Sequence, residues 1–345
     1  MAVSQLYDTA LSTTTQNFRE RDVRKNPVVQ YSMDCPVTSR AGKEPMPLSS
    51  RPEWVIKLFA TANTGGRIEG APVVAGDGEN NLSNKYLAST RFQKTSRIIF
   101  VTREAKMMMK QYGVEGADVF EDNKKDKGTE LQVDIEATFL SDNESVPPVN
   151  DTTASTTRGI PRWASKADAR FTDTDTTPNT AIRTPSASIV VSKNVNGTDT
   201  TEQNIRTVIT SIASSRRKNF GEALMVCSPN MRNALALFTY LDKSATSTAA
   251  PVRRWNQQEG EISTMATLYK SDHGTLEALT SYQLDVSVLC LILDMDSVKI
   301  AYAEAPMFEK LPSDGANERG QWEAIWMTKL LNPFSAGKII TGATA

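Results

Sequence analysis

VSVLCLILDMDSVKIAYAEAPMFEKLPSDGANERGQWEAIWMTKLLNPFSAGKI, residues 286–339, is the stretch on which the fold turns. It divides into β-capable runs, VSVLCLIL, VKIAYAE, MFEKL and QWEAIWMTKLL, set apart by turn-forming residues. In the last run Trp322, Ala324, Trp326 and Thr328 alternate with Glu323, Ile325 and Met327, the period of two that a strand imposes. VSVLCLIL, interrupted only by Ser287, is the longest apolar run and is far too short to cross a bilayer as a helix.

Just upstream, ATLYKS and GTLEAL read as two more strands, and between them lies the sequence's single histidine. Ser271, Asp272 and His273 carry the residue types of a catalytic triad. Neighbours in a strand point to opposite faces, however, and working triads are assembled in space rather than in sequence. Asp-x-Gly between two alternating apolar runs is a hairpin signal, so the expected reading is a turn. Without a second histidine, a histidine-based metal site is not expected either.

Working towards the N-terminus, EALMVCSPNMRNALALF reads as strand, turn and helix, with Ser228 as N-cap and Pro229 at the first helical position. A helix is expected at 201–217, with Ile205, Val208, Ile209 and Ile212 on one face. Residues 141–200 are rich in Ser, Thr, Asp and Asn and read as loop with short ordered pieces, including one island, RGIPRWAS, around Trp163. From about 104 to 141 the pattern is helical, and Leu131, Ile135 and Phe139 stand at steps of four. Continuous from Gly116 to Ser141, that helix would run about 39 Å. Gly128 weakens its middle by about 1 kcal/mol relative to alanine, and Pro147 and Pro148 end it.

Residues 51–100 hold a Gly/Asn-rich centre flanked by WVIKLFA and RFQKTSRIIFVT, which suggests a long two-stranded excursion. A ribbon of that kind is marginal alone in water and needs a surface to lie on. Residues 1–50 show no sustained periodicity and read as an extended arm that orders against a partner. Met1 followed by such an arm is read as leaving no long prodomain. The fold class expected from the residues is α+β.

Composition narrows the chemistry. The 345 residues carry 39 Lys and Arg against 40 Asp and Glu, a formal net charge of −1. Such a balance gives no global field for nucleic acid or an anionic membrane. The basic clusters FRERDVRKN and SSRRKNF suit surface ion pairing better than nucleic-acid binding. MAVSQLYDTALSTTTQ lacks the basic and apolar regions of a signal peptide. Cys35, Cys227 and Cys290 are odd in number and form no CxxC pair, which suggests a reducing place of assembly. Cys227 and Cys290 lie in apolar runs and are expected as buried small hydrophobes. Gly65, Gly66 and Gly70 in TANTGGRIEG lack the Lys-Ser/Thr of a phosphate loop, and FTDTDTTPNTAI lacks the Gly and Glu of a calcium loop. No HExxH or GxSxG occurs. Catalytic, cofactor-binding and metal residues are all expected to be absent. The arm, ribbon and long helix instead suit a chain that builds by contact with copies of itself.

Five segments also resemble a known family. FGEALMVCSPNMRNALALFT is similar to its strand, Asn/Ser-Pro and helix, and LYKSDHGTLEAL is similar to its YxSDFGTLKV hairpin, with His273 where the family has Phe. The run from Leu291 to Ile339 resembles its closing strands, ELQVDIEATFLS the end of its long helix, and TTRGIPRW the segment that follows. The family is the major capsid proteins of tailed bacteriophages, of the Hong Kong ninety-seven fold type, and the likeness spans about residues 85–342. It implies an N-terminal arm at 1–50 and an extended β-ribbon loop at 51–100. A peripheral domain with a long spine helix would take 101–200 and 296–345, and an axial domain 201–295. The implied role is a structural protein of an icosahedral head around double-stranded DNA, assembled as hexamers and pentamers in the bacterial cytoplasm. Its partners would be itself and scaffolding, decoration and portal proteins, with weak DNA contact and no membrane. Another virion component, of decoration or tail type, is the alternative. Some relatives close their shells with Lys–Asn isopeptide bonds. No motif marks Lys85 or Lys94 with Asn332 for this, and noncovalent closure is expected.

Overall fold

A computed structural model describes residues 34–49, 52–58, 64–66, 68–72, 85–111, 119–148, 153–165, 184–192, 202–237, 268–313, 315 and 317–342. Twelve named strands lie among the described residues: β1 Gly42–Pro45, β2 Glu53–Lys57, β3 Lys85–Ser89, β4 Gln93–Thr102, β5 Ile189–Ser192, β6 Glu222–Cys227, β7 Leu268–Ser271, β8 Gly274–Thr280, β9 Val288–Leu293, β10 Val298–Leu311, β11 Asn317–Leu330 and β12 Ala336–Thr341. The helices are α1 Arg103–Gln111, α2 Val119–Phe139, α3 Ile160–Trp163, α4 Glu202–Arg216 and α5 Pro229–Leu237. Helices and sheets are thus mixed, as the α+β expectation has it.

The chain divides into two compact units. Described residues within Ser96–Leu131 and Phe308–Glu323, with Asp34, belong to one; Cys35–Thr95, Gln132–Met307 and Ala324–Ala345 supply the other.

The first unit centres on Ile99, Val101 and Phe120, with Val119, Phe308 and Trp322 packed against them. Phe308 lies 6.0 Å from Phe120 and 5.6 Å from Trp322, ring centre to ring centre. Gly128 has a packing reason here. A Cβ at that position would stand 3.2 Å from the Trp322 ring, and the Trp322 indole N–H donates to the Lys124 carbonyl at 2.7 Å. The helix gives up propensity at Gly128 so that an aromatic ring can close on its backbone.

The second unit is organised by a six-stranded sheet in the order β5-β12-β9-β6-β8-β7. α4 comes from the expected 201–217 segment, and its Ile205, Val208, Ile209 and Ile212 are all buried. They meet Met225, Cys227, Met231, Leu276, Cys290, Ile292 and Ile339 in one core. α5 starts where the Ser-Pro pair places it, with Ser228 Oγ accepting from the Met231 N–H at 3.2 Å. β5, a short ordered piece within the 141–200 segment, pairs in parallel with β12.

The closing stretch forms longer strands than its runs suggest. VKIAYAE and MFEKL join as β10, fourteen residues with Pro306 inside. Parallel β1 accompanies β10 only from Lys299 to Tyr302. Among the described residues, β1 does not reach Pro306, so on that side the ring, which has no N–H, sits where no pairing with β1 is lost. β10 lies between β1 and β11 in a four-stranded sheet ordered β1-β10-β11-β4. The excursion at 51–100 also pairs differently from its flanking runs. β2 pairs antiparallel with β3, Trp54 opposite Ala88 and Val55 opposite Leu87, whereas RFQKTSRIIFVT supplies β4. Among the described residues, helical structure near 104–141 comes as α1 and the 21-residue α2, which ends at Phe139, before Ser141; residues 116–118 lie outside the described residues.

Candidate functional site

The stretch around the histidine is a two-residue hairpin. Ser271 pairs with Gly274 across β7 and β8, leaving Asp272 and His273 as the turn. Gly274 has φ +143, and a Cβ there would come within 2.7 Å of the Phe220 carbonyl, so glycine is required. Ser271 Oγ donates to the Gly274 carbonyl at 3.0 Å and accepts from the His273 N–H at 3.3 Å. The imidazole Nδ1 instead faces Asn219 Oδ1 at 3.4 Å. The hydroxyl is used by the turn and the ring by a neighbouring loop, so this geometry joins neither to the other as nucleophile and base. Among the described residues no group of three or more His, Cys, Asp or Glu could hold a metal. Gly65, Gly66 and Gly70 of TANTGGRIEG are all exposed, and Gly70 adopts φ +77. FTDTDTTPNTAI and FRERDVRKN lie outside the described residues, as do residues 1–33 of the arm. From SSRRKNF, Arg216 pairs with Asp294 at 2.6 Å. Asn332 Oδ1 accepts from the Phe334 N–H at 3.0 Å in the turn after β11, while Lys85 opens β3 and Lys94 lies in β4.

What the structure offers is surface and anchorage. The β2–β3 ribbon has two unlike faces. Trp54, Ile56 and Ala88 are buried, and Trp54 lies 5.4 Å from Trp163, ring centre to ring centre. On the opposite face Val55 and Leu87, direct cross-strand partners, are 59% and 46% exposed. Trp163 is held from the other side. Its indole N–H donates to Thr328 Oγ1 at 3.2 Å, and the Arg158 guanidinium lies 4.6 Å from the Trp163 ring centre. Arg158 and Arg162 reach Glu144 at 2.5 and 2.9 Å. Burial pushes the Glu144 carboxyl up, but the Arg158 charge and the Arg162 and Ser145 hydrogen bonds outweigh it and leave the group below its ordinary range.

The second anchor was not read from the sequence. Glu136 on α2 is fully buried, and its carboxylate accepts from the Val37 N–H at 3.1 Å, the Thr38 N–H at 2.8 Å and Thr38 Oγ1 at 2.6 Å. It fixes the turn at residues 36–40. Beside that turn a groove of about 440 Å³ runs past Cys35, Ser39, Gln132, Tyr302 and Pro306. The one sequence signal was position: Glu136 stands four residues before Leu140, on the border of the apolar stripe. The loop Ser281–Ser287 is likewise pinned while showing apolar groups. The Asp285 carboxylate accepts from Ser287 N and Oγ at 2.9 and 2.7 Å and from the Asp142 N–H at 3.2 Å. Tyr282 and Val286 beside it are 80% and 85% exposed.

The fold has solved counterparts. The chain is similar to the capsid structure of the cyanophage P-SCSP1u, at 11% identity and TM-score 0.59, covering 96% of this chain and 95% of that one. It is similar to the capsid of an empty GTA particle computed with C5 symmetry, at 9% identity and TM-score 0.57, over 94% and 95% of the two chains. For Gordonia phage Cozz the values are 12%, 0.55, 94% and 91%. These likenesses establish a phage capsid fold. No curated protein matches the chain. The family model for the SU10 major capsid protein matches residues 9–344, nearly the whole sequence. With fold and family in agreement over the same span, the chain belongs to the SU10 major capsid protein family and is a structural protein of a phage virion.

Proposed function

We propose that many copies of this chain assemble into hexamers and pentamers that close an icosahedral head around the phage genome. The observation that carries the proposal is the family match over residues 9–344 on a capsid fold. Residues 1–50 act as the arm, 51–100 as the ribbon loop, 101–200 with 296–345 as the peripheral domain, and 201–295 as the axial domain. Supporting this map, the six-stranded sheet takes four of its strands from 201–295, and α2 falls in the range of the spine helix. The outer ribbon face of Val55 and Leu87 is apolar surface that a neighbouring copy would cover.

Assembly takes place in the host cytoplasm and is noncovalent, driven by surface buried over many symmetric contacts. Scaffolding, portal and decoration proteins are its further partners. The near-zero net charge leaves contact with packaged DNA weak and nonspecific. The role is structural rather than catalytic. A tail or decoration component is disfavoured by the family match.

Negative-stain electron microscopy of the purified chain, with sedimentation velocity, tests the reading. Shells or capsomer rings are expected, alone or with the phage's scaffolding protein. A chain that stays monomeric with its phage partners and is absent from virions overturns it.

A further inference from the structure

The two central strands of the six-stranded sheet carry a thiol pair that the capsid reading does not use. Cys227 on β6 and Cys290 on β9 are direct cross-strand partners, and both are fully buried. The Ser228 N–H donates to the Leu289 carbonyl at 2.9 Å, which makes 228 and 289 a hydrogen-bonded pair. Positions 227 and 290 are therefore the adjacent non-hydrogen-bonded pair, in which Cα atoms approach to about 4.5 Å. That falls inside the roughly 4.4–6.8 Å that a disulfide spans. The two sulfurs already lie 3.9 Å apart.

We infer that Cys227 and Cys290 are a modification site, a latent cross-strand disulfide that forms when the folded chain meets a small-molecule disulfide such as oxidised glutathione. One thiolate attacks a sulfur of the oxidant and forms a mixed disulfide. The second thiolate displaces the remaining half. Two protein S–H bonds and the oxidant's S–S bond are lost, and one protein S–S bond forms. Two electrons and both protons end on the two small thiols released. Complete burial shuts the oxidant out of the closed sheet, so exchange waits on local opening between β6 and β9. The Cys227 sulfur and burial together push the Cys290 thiol well above its ordinary value, which slows the reaction further. Once formed, the bond ties the middle of the sheet across 63 residues of chain. A chain assembled in a reducing cell would carry it open and could close it after release.

The test uses soluble full-length chain and needs no shell, so its outcome is separate from that of the capsid reading. In a Cys35→Ser background the only thiols are Cys227 and Cys290. After prolonged incubation with oxidised glutathione, thiols titrated in guanidinium are expected to fall from two to none. Non-reducing peptide mapping is expected to show a linked Cys227–Cys290 peptide, and dithiothreitol is expected to restore both thiols. The same linked peptide in wild-type chain guards against an effect of the Cys35 substitution. Two thiols still free after incubation, mixed disulfides that never resolve, or links only between chains would overturn the inference.

Discussion

β9 and the β2–β3 ribbon are both short β segments, and they spend their apolar residues in opposite ways. All six residues of β9 are buried, between β12 and β6 on its edges and under the helix-packed core. The ribbon buries only every second residue of β2, and its other face shows Val55 and Leu87 to solvent. Burial of a Leu-sized side chain contributes about 1.5–3 kcal/mol. β9 realises that within one chain, and the ribbon can realise it only against another surface. In a family whose members build capsids, the first pattern makes a subunit and the second leaves it ready to be joined.

The sharpest way to break this contrast is inside the sheet. Ile292→Ala should remove about 2–5 kcal/mol of unfolding free energy, read as a lowered guanidinium midpoint with an unchanged slope. A loss under 1 kcal/mol would mean that β9 is not the core strand its burial indicates. Next comes the anchor of the turn at Val37 and Thr38. Glu136→Ala leaves the Val37 and Thr38 amides without their acceptor, and an unsatisfied buried donor costs about 1–3 kcal/mol. Hydrogen exchange at those two amides should accelerate while exchange in β9 stays slow.

Acid gives a smaller effect with a definite sign. The Glu144 and Asp285 carboxyls sit below their ordinary values. At Asp285 burial pushes upward, and the Ser287 and Asp142 hydrogen bonds with the Lys338 charge outweigh it. Folded values below unfolded ones mean stabilisation that is complete above about pH 4–4.5 and is lost as pH falls through the folded values. Unfolding midpoints should therefore drop in that acid range, and Glu144→Gln should flatten the drop. A midpoint that rises on acidification contradicts the ion-pair geometry.

On the exposed side the expected stability changes are near zero, and the contrast is sharpened there. Val55→Ser with Leu87→Ser should shift unfolding by only about 0.5 kcal/mol yet lower the yield of assembled particles. His273→Ala should do less still, within about 0.5 kcal/mol and with no effect on assembly. A large loss at His273 would reopen a role for the turn beyond its backbone.

How much was legible beforehand follows the range of the forces involved. α4 could be read because Ile205, Val208, Ile209 and Ile212 repeat at helical spacing. The start of α5 could be read because Ser228 and Pro229 act on their immediate neighbours. The Asp272-His273 turn could be read because Gly274 must adopt a conformation that side chains avoid. Strand partners were harder. WVIKLFA could pair with any alternating run nearby, and only the fold decides that β3 takes it while Gln93–Thr102 enters another sheet. β10 read as two strands because local chemistry sees Pro306 but not that β1 has already ended. Glu136 could not be singled out because its three donors lie almost a hundred residues away. The capsid role itself came through resemblance in five segments, since no residue chemistry announces assembly.

One comparison tests the central claim most directly: wild-type chain and the Val55→Ser, Leu87→Ser variant side by side in sedimentation velocity and negative-stain microscopy, each with the phage's scaffolding protein. The account predicts closed shells or capsomer rings from the wild type and a folded, largely unassembled variant whose stability differs by only about 0.5 kcal/mol. A wild type that never leaves the monomer peak would contradict the capsid claim. A variant that assembles as well as the wild type would contradict the place given to the ribbon.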